Sequence, residues 1–288
     1  MKQLLILSGK GGTGKTTIAS AFIRLSEAKA YADCDVDAPN LQLIMGQSSE
    51  PKKTDYYELP KAEINTELCI KCDQCRQNCR FDAIIEDNEY KVDPFACEGC
   101  GVCEICCPVN AVTLKPKIAG ELMLYSDGER AFSTAQLKMG SGTSGKLVTE
   151  VKKQMMAAAV DADLAIIDGS PGIGCPVISS LSGVDMALIV AEPSISGISD
   201  MERIIKTAEI FQTKIAVCIN KADTNIENSD RIKSFCKEKS ISFAGCIPFD
   251  SNAVKAINNG QTIVDIDCAS GRAARGVFDK TRNLLQEY

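Results

Sequence analysis

"QLLILSGKGGTGKTT" (Gln3–Thr17) is the stretch on which the architecture turns. An apolar, strand-like run passes into a glycine-rich loop, and "GKGGTGKT" (Gly9–Thr16) satisfies G-x-x-x-x-G-K-[ST]. Between a strand and a helix, such a loop turns successive backbone N–H groups onto phosphate oxygens, and the helix N-terminus adds a favourable dipole. Gly11, Gly12, Thr13 and Gly14 form the loop. Lys15 is expected on the β/γ-phosphates and Thr16 on Mg²⁺, with Thr17 beside it. The segment predicts a nucleotide-binding strand–loop–helix unit.

Outward from the loop the same alternation continues. Apolar runs at 3–8, 163–169, 185–192, 214–220 and 241–247 read as strands, and 28–35 is a weaker one. Helical stretches are expected at Thr16–Glu27, Lys146–Ala159, Ser199–Phe211, Ser229–Lys239 and Arg272–Glu287. Short apolar strands alternating with helices imply a mostly parallel sheet covered on both faces. The expectation is an α/β, doubly wound fold of the P-loop type.

Residues 60–118 break this rhythm. "CIKCDQCRQNCR" (Cys69–Arg80) and "CEGCGVCEICCP" (Cys97–Pro108) are related by a shift of 28 residues, which maps Cys69, Cys72, Cys75 and Cys79 onto Cys97, Cys100, Cys103 and Cys107. Ala83 and Ile84 map likewise onto Ala111 and Val112. C-x₂-C-x₂-C-x₃-C-P is the run of two-cluster ferredoxins, in which the fourth cysteine serves the other cluster. One [4Fe–4S] cluster is therefore expected on Cys69, Cys72, Cys75 and Cys107, and a second on Cys97, Cys100, Cys103 and Cys79. Arg80 stands where the pattern has proline. C-x-x-C pairs also suit zinc, but the triplets and the repeat favour the clusters. This predicts a discontinuous P-loop domain (1–59 and 119–288) with a small α+β ferredoxin-like domain (60–118) inserted. Residues 118–146 read as a return passage ending in a flexible Gly/Ser-rich loop.

The chain of 288 residues has a net charge of -6, which speaks against a general nucleic-acid surface. No apolar run approaches the ~18 residues of a transmembrane helix, and the start lacks the form of a secretory signal. A cytoplasmic protein is expected. In that reducing setting fifteen cysteines point to metal ligation rather than disulfides. There is no histidine, so no imidazole serves as ligand or base.

The loop variant "KGGTGKT", with its extra Lys10, resembles the signature of the MinD/Mrp family of P-loop ATPases, which is ParA-like and related to nitrogenase iron protein. The resemblance implies a homodimer in which Lys10 reaches the partner's phosphates. "DCDVDAPN" (Asp33–Asn40) is similar to that family's switch I, with Ala38 in place of a glycine. The match implies that Asp35 orients the attacking water and that Asp33 supports the metal shell. "LAIIDGSPGIG" (Leu164–Gly174) resembles Walker B and switch II, which puts Asp168 on Mg²⁺ through water and makes Gly172 part of a mobile switch. "CINKAD" (Cys218–Asp223) sets Asn220 at the family's base contact. It also spells the N-K-x-D of guanine readers, so ATP is favoured and GTP stays open.

The resemblance extends to MinD-superfamily ATPases that carry an inserted ferredoxin domain. It implies ATP, Mg²⁺ and two [4Fe–4S] clusters as cofactors, and electron transfer to a redox or metallocofactor partner protein during cofactor maturation. A cluster carrier of the Mrp type and a MinD-like spatial regulator are the alternatives. No C-x-x-C follows residue 107 to bridge two subunits as in Mrp-type carriers. Cys175 follows switch II at the place of a cluster-ligating cysteine in nitrogenase iron protein. It reads either as a transient metal contact or as a small buried packing residue.

Overall fold

The structure is a computed structural model, and it describes residues 1–47, 49–159 and 161–287. From the N-terminus, β1 (Lys2–Leu7) leads into α1 (Lys15–Ser26), β2 (Ala30–Asp33) and the short α2 (Leu41–Met45). Next come β3 (Lys52–Tyr57), β4 (Lys61–Ile64), α3 (Gln74–Gln77), β5 (Ile84–Asp87), β6 (Glu89–Val92), α4 (Val102–Ile105) and β7 (Val112–Lys115). β8 (Ile118–Ser126), β9 (Ala131–Leu137), α5 (Ser144–Ala158), β10 (Leu164–Asp168), α6 (Cys175–Leu181) and β11 (Met186–Ala191) follow. The chain ends with α7 (Ile195–Ile210), β12 (Lys214–Asn220), α8 (Ile226–Glu238), β13 (Ser242–Ile247), α9 (Ser251–Asn258) and α10 (Ala269–Gln286).

Two compact units result. The first comprises Met1–Lys53, Leu122–Gln136 and the chain from Ser144 onward, and the second Thr54–Glu121 with Leu137–Thr143. The large sheet has the order β13-β12-β11-β1-β10-β2-β9-β8-β3. From β13 to β9 every pair runs parallel. The fold is the α/β, P-loop-type architecture with a large, mostly parallel sheet. β1 and β11 are buried almost throughout because helices cover both faces. Phe22 of α1 and Phe278 of α10 meet edge-on at 5.1 Å over this sheet. Each is almost fully buried, and such burial stabilises by about 1.5–3 kcal/mol per side chain.

The sheet places its chemistry at one rim. Asp33, Asp168, the loop after Leu7, Glu192 and Asn220 all lie at the carboxyl ends of neighbouring strands β2, β10, β1, β11 and β12. That is where open α/β sheets bind their ligands.

Residues 118–146, expected as a return passage ending in a flexible loop, carry more regular structure than that. They form β8, β9 and the start of α5. The loop reading leaned on the Gly/Ser-rich stretch, which occupies only the few residues between β9 and α5. Several helices also begin earlier than expected, because capping side chains start them. Ser194 accepts from the Gly197 N–H, Asn225 from Asn228 and Cys268 from Gly271.

The second unit repeats itself in three dimensions. β6, α4 and β7 follow β4, α3 and β5 with the same 28-residue offset found in the cysteines. Strands pair across the halves, β4 with β7 and β5 with β6, both antiparallel. Left-handed residues recur at the same offset, Lys71 with Gly99, Asp73 with Gly101 and Asp82 with Asn110. Its core is small and includes Cys75 and Cys97 beside Ala62, Ala83, Tyr90 and Val112. No helix among the described residues is long and apolar enough to cross a membrane.

Candidate functional site

The phosphate loop is braced from two sides. Gly12 and Gly14 have φ of 78° and 92°, and Gly14 is the N-cap of α1. A Cβ on Gly14 would lie 2.2 Å from Asn220 Nδ2, so position 14 admits only glycine. Asn220 Nδ2 donates to the Thr13 carbonyl at 2.7 Å, and Lys221 Nζ to the Gly12 carbonyl at 3.0 Å. The loop so pinned borders a cleft of about 880 Å³. Gly11, Thr16, Thr17, Asp35 and Lys10 line that cleft.

Charge is concentrated beneath the loop. Lys15 Nζ lies 2.6 Å from Asp168 Oδ1, with Lys15 6% and Asp168 0% exposed. Burial pulls the Lys15 pKa down, but Asp168 and Asp33 more than offset it, and the net direction is upward. Asp168 Oδ2 is buried without a hydrogen-bond partner. An orphaned carboxylate oxygen, on the residue that pairs with Lys15, suits a hydrated divalent cation. Asp33 accepts from the N–H groups of Asp35, Asn40 and Leu41, each at 3.0 Å, so its carboxylate ties down the loop after β2. Burial and the nearby Asp168 push Asp33 up to about 7, against Lys15 and those N–H donors. Asp35 borders the cleft, its pKa raised chiefly by burial. Gly172, φ 96°, sits after β10 and donates its N–H to the Ser8 carbonyl.

Lys10 is held within its own chain. Its ammonium is 2.9 Å from Glu192 and within 3.5 Å of the Ser194 and Ser196 hydroxyls. Sequence reasoning assigned no role to Glu192 or Lys221. Their signal was positional, since each begins the turn at the carboxyl end of a parallel strand.

In the second unit the cysteines of the two runs border two cavities. Cys69, Cys72, Cys75 and Cys107 line one cavity, and Cys79, Cys97, Cys100 and Cys103 another. Most of the remaining lining residues correspond at the 28-residue offset too, such as Ile64 with Val92 and Val112 with Ile84. Ala111 N–H donates to Cys107 Sγ at 3.1 Å. Among the described residues no group of three or more His, Cys, Asp or Glu side chains is arranged to hold a metal ion. Cys106 lines neither cavity. Cys175 is exposed at the start of α6, not buried as the packing alternative required. A Cβ on Gly145 of α5 would lie 3.1 Å from the Cys175 Cβ, so α5 and α6 pack closely there.

Residues 4–263 match the family model described as the CobQ/CobB/MinD/ParA nucleotide binding domain. An uncharacterized protein of Methanocaldococcus jannaschii is 33% identical, over 98% of this chain and 97% of its own. An uncharacterized ATP-binding protein of the same organism is 25% identical, over 98% of this chain and 87% of its own. Among solved structures, the septum site-determining protein MinD of Pyrococcus horikoshii complexed with Mg-ADP has a TM-score of 0.58 at 17% identity. It covers 100% of this chain and 99% of that one.

Proposed function

This chain belongs to the CobQ/CobB/MinD/ParA nucleotide-binding family, and from that premise we propose that it is an ATP-driven homodimeric switch coupled to electron transfer through two [4Fe–4S] clusters. MinD/ParA proteins are P-loop ATPases. The partner would be a protein whose metal or iron–sulfur cofactor is being matured. One observation carries the redox half of this reading: each cysteine quartet named by the crossed spacing borders a cavity of its own. Cys69, Cys72, Cys75 and Cys107 would hold one cluster, and Cys97, Cys100, Cys103 and Cys79 the other. Bound there, the clusters supply one-electron chemistry at potentials set by nearby charge, hydrogen bonds and exposure.

The residues of the first unit fit ATP hydrolysis. The N–H groups of Gly11 to Thr16 cradle the phosphates, and Lys15 turns from Asp168 to meet them. Thr16 and the free oxygen of Asp168 would hold Mg²⁺, which offsets phosphate charge when bound. Asp35 borders the cleft where it can orient a water, and Lys10 acts across the dimer on the partner's phosphates. Asn220 steadies the loop and borders the base. α10 spends its apolar face on the core through Ala274, Val277, Phe278 and Leu285, which weighs against membrane attachment by that helix.

The test is composition and turnover together. Chain purified without oxygen should carry about eight iron and eight acid-labile sulfide, and should hydrolyse ATP faster than GTP. Stoichiometric zinc without sulfide, from iron-replete anaerobic cells, would sink the redox half and leave the ATPase reading standing.

A further inference from the structure

An ammonium has three N–H bonds, and all three of Lys10 find acceptors in the turn after β11. Glu192 Oε2 lies 2.9 Å from Nζ, Ser196 Oγ 3.4 Å and Ser194 Oγ 3.5 Å. The other carboxylate oxygen of Glu192 is 3.1 Å from Lys221 Nζ, the same ammonium that donates to the Gly12 carbonyl. Glu192 thus joins Lys10 and, through Lys221, Gly12 of the phosphate loop to one rigid point. The rigidity comes from Gly197, where a Cβ would fall 2.3 Å from the Glu192 carbonyl oxygen, and from Ser194, which caps α7. A second brace is Gly9, where a Cβ would overlap Asp200 of α7 at 2.1 Å. The two lysines hold the Glu192 pKa below the usual carboxylate range.

We propose that Glu192 is a latch, a positioning residue that keeps Lys10 satisfied in its own chain until phosphate oxygens of a second subunit compete for the ammonium. The proposal rests on the reading that Lys10 works across a dimer. A lysine with three acceptors in place cannot reach outward without breaking the ion pair, so the latch sets a threshold for premature closure. Because Lys221 shares the carboxylate, release of Lys10 leaves Glu192 fully committed to the Gly12 clamp. The loop is held while the lysine departs.

The first measurement uses the chain without nucleotide. A water-soluble acylating reagent is followed by quantitative mass spectrometry at Lys10, with exposed Lys29 as internal control. Glu192→Gln should raise Lys10 labelling about fivefold, the scale of a partly exposed ion pair of ~1 kcal/mol, and leave Lys29 unchanged. The second measurement is sedimentation with a non-hydrolysable ATP analogue. Glu192→Gln should lower the protein concentration at half-dimerisation by a similar factor, and the gain should vanish in Lys10→Ala/Glu192→Gln. Unchanged Lys10 labelling, or a dimerisation gain that survives Lys10→Ala, overturns the latch. A chain that stays monomeric while Lys10 labelling rises fivefold overturns the dimer reading, and with it the release step, and leaves only the restraint of Lys10 by Glu192 within the chain.

Discussion

Lys15 and Lys152 are both buried amines, and their surroundings drive them in opposite directions. Lys15 has Asp168 and Asp33 beside it, which outweigh burial and keep it charged. Lys152 of α5 donates to the carbonyls of Ser180 and Ser182 at the end of α6, at 2.8 and 2.5 Å, and burial lowers its pKa. Carbonyl dipoles at a helix C-terminus favour a cation, yet they do not make up for lost solvation. The sign of the linkage follows. Below the ordinary lysine value of 10.5 but above the lowered folded value, the unfolded chain binds more protons than the folded one. Stability therefore rises with pH across that window. Melting temperatures taken in steps from about pH 7 to 10 should climb for the native chain relative to Lys152→Met. A difference that stays flat or shrinks would mean that Lys152 titrates like a surface lysine.

At the scale of elements, helix starts are set by single side chains. Asn225 accepts from the Asn228 N–H at 2.9 Å and begins α8. Asn225→Ala should cost about 1 kcal/mol in urea unfolding, and Asn225→Asp close to nothing. A loss under a few tenths would mean that solvent satisfies that N–H as well. The same caps explain what could be read from sequence and what could not. Periodicity located α7, α8 and α10, but it begins only where the apolar stripe begins, so their first turns were missed. β1, β10, β11 and β12 were plain because buried parallel strands are continuous apolar runs. β8 and β9 were not. Their polar and small residues, as in "AFSTAQL" (Ala131–Leu137), are buried by the sheet's context rather than by their own hydropathy. The phosphate loop and the 28-residue repeat were legible because backbone geometry and duplicated structure write themselves into fixed offsets. Glu192 was not, since a lone carboxylate after a strand has no spacing to betray it.

On the scale of the whole molecule, the two units differ in what could hold them together. The first has a broad sheet, helices on both faces and a core that includes Leu4, Phe22, Phe132 and Ile166. The second has fewer than about 80 residues, a size at which one apolar core rarely supplies more than ~3–5 kcal/mol. Its core is made largely of alanine, valine and cysteine, with Cys69, Cys79, Cys103 and Cys107 packed around the buried set. Thiols that line cavities fill little space by themselves, so clusters held there, as proposed above, would serve as the staples of this unit, as structural metals do in other small domains. Stripping the iron anaerobically should then act on one unit alone. Amide exchange in β4 to β7 should quicken by more than about a hundredfold, the equivalent of ~3 kcal/mol of lost local stability. Exchange in β1, β10 and β11 should hold within about twofold, because their burial owes nothing to the cysteines. Slow exchange retained in both units after complete iron loss would show that the second unit folds on its own apolar contacts. Quickening throughout the first unit as well would mean that the clusters hold up the whole chain, and the division of labour between the units would have to be abandoned.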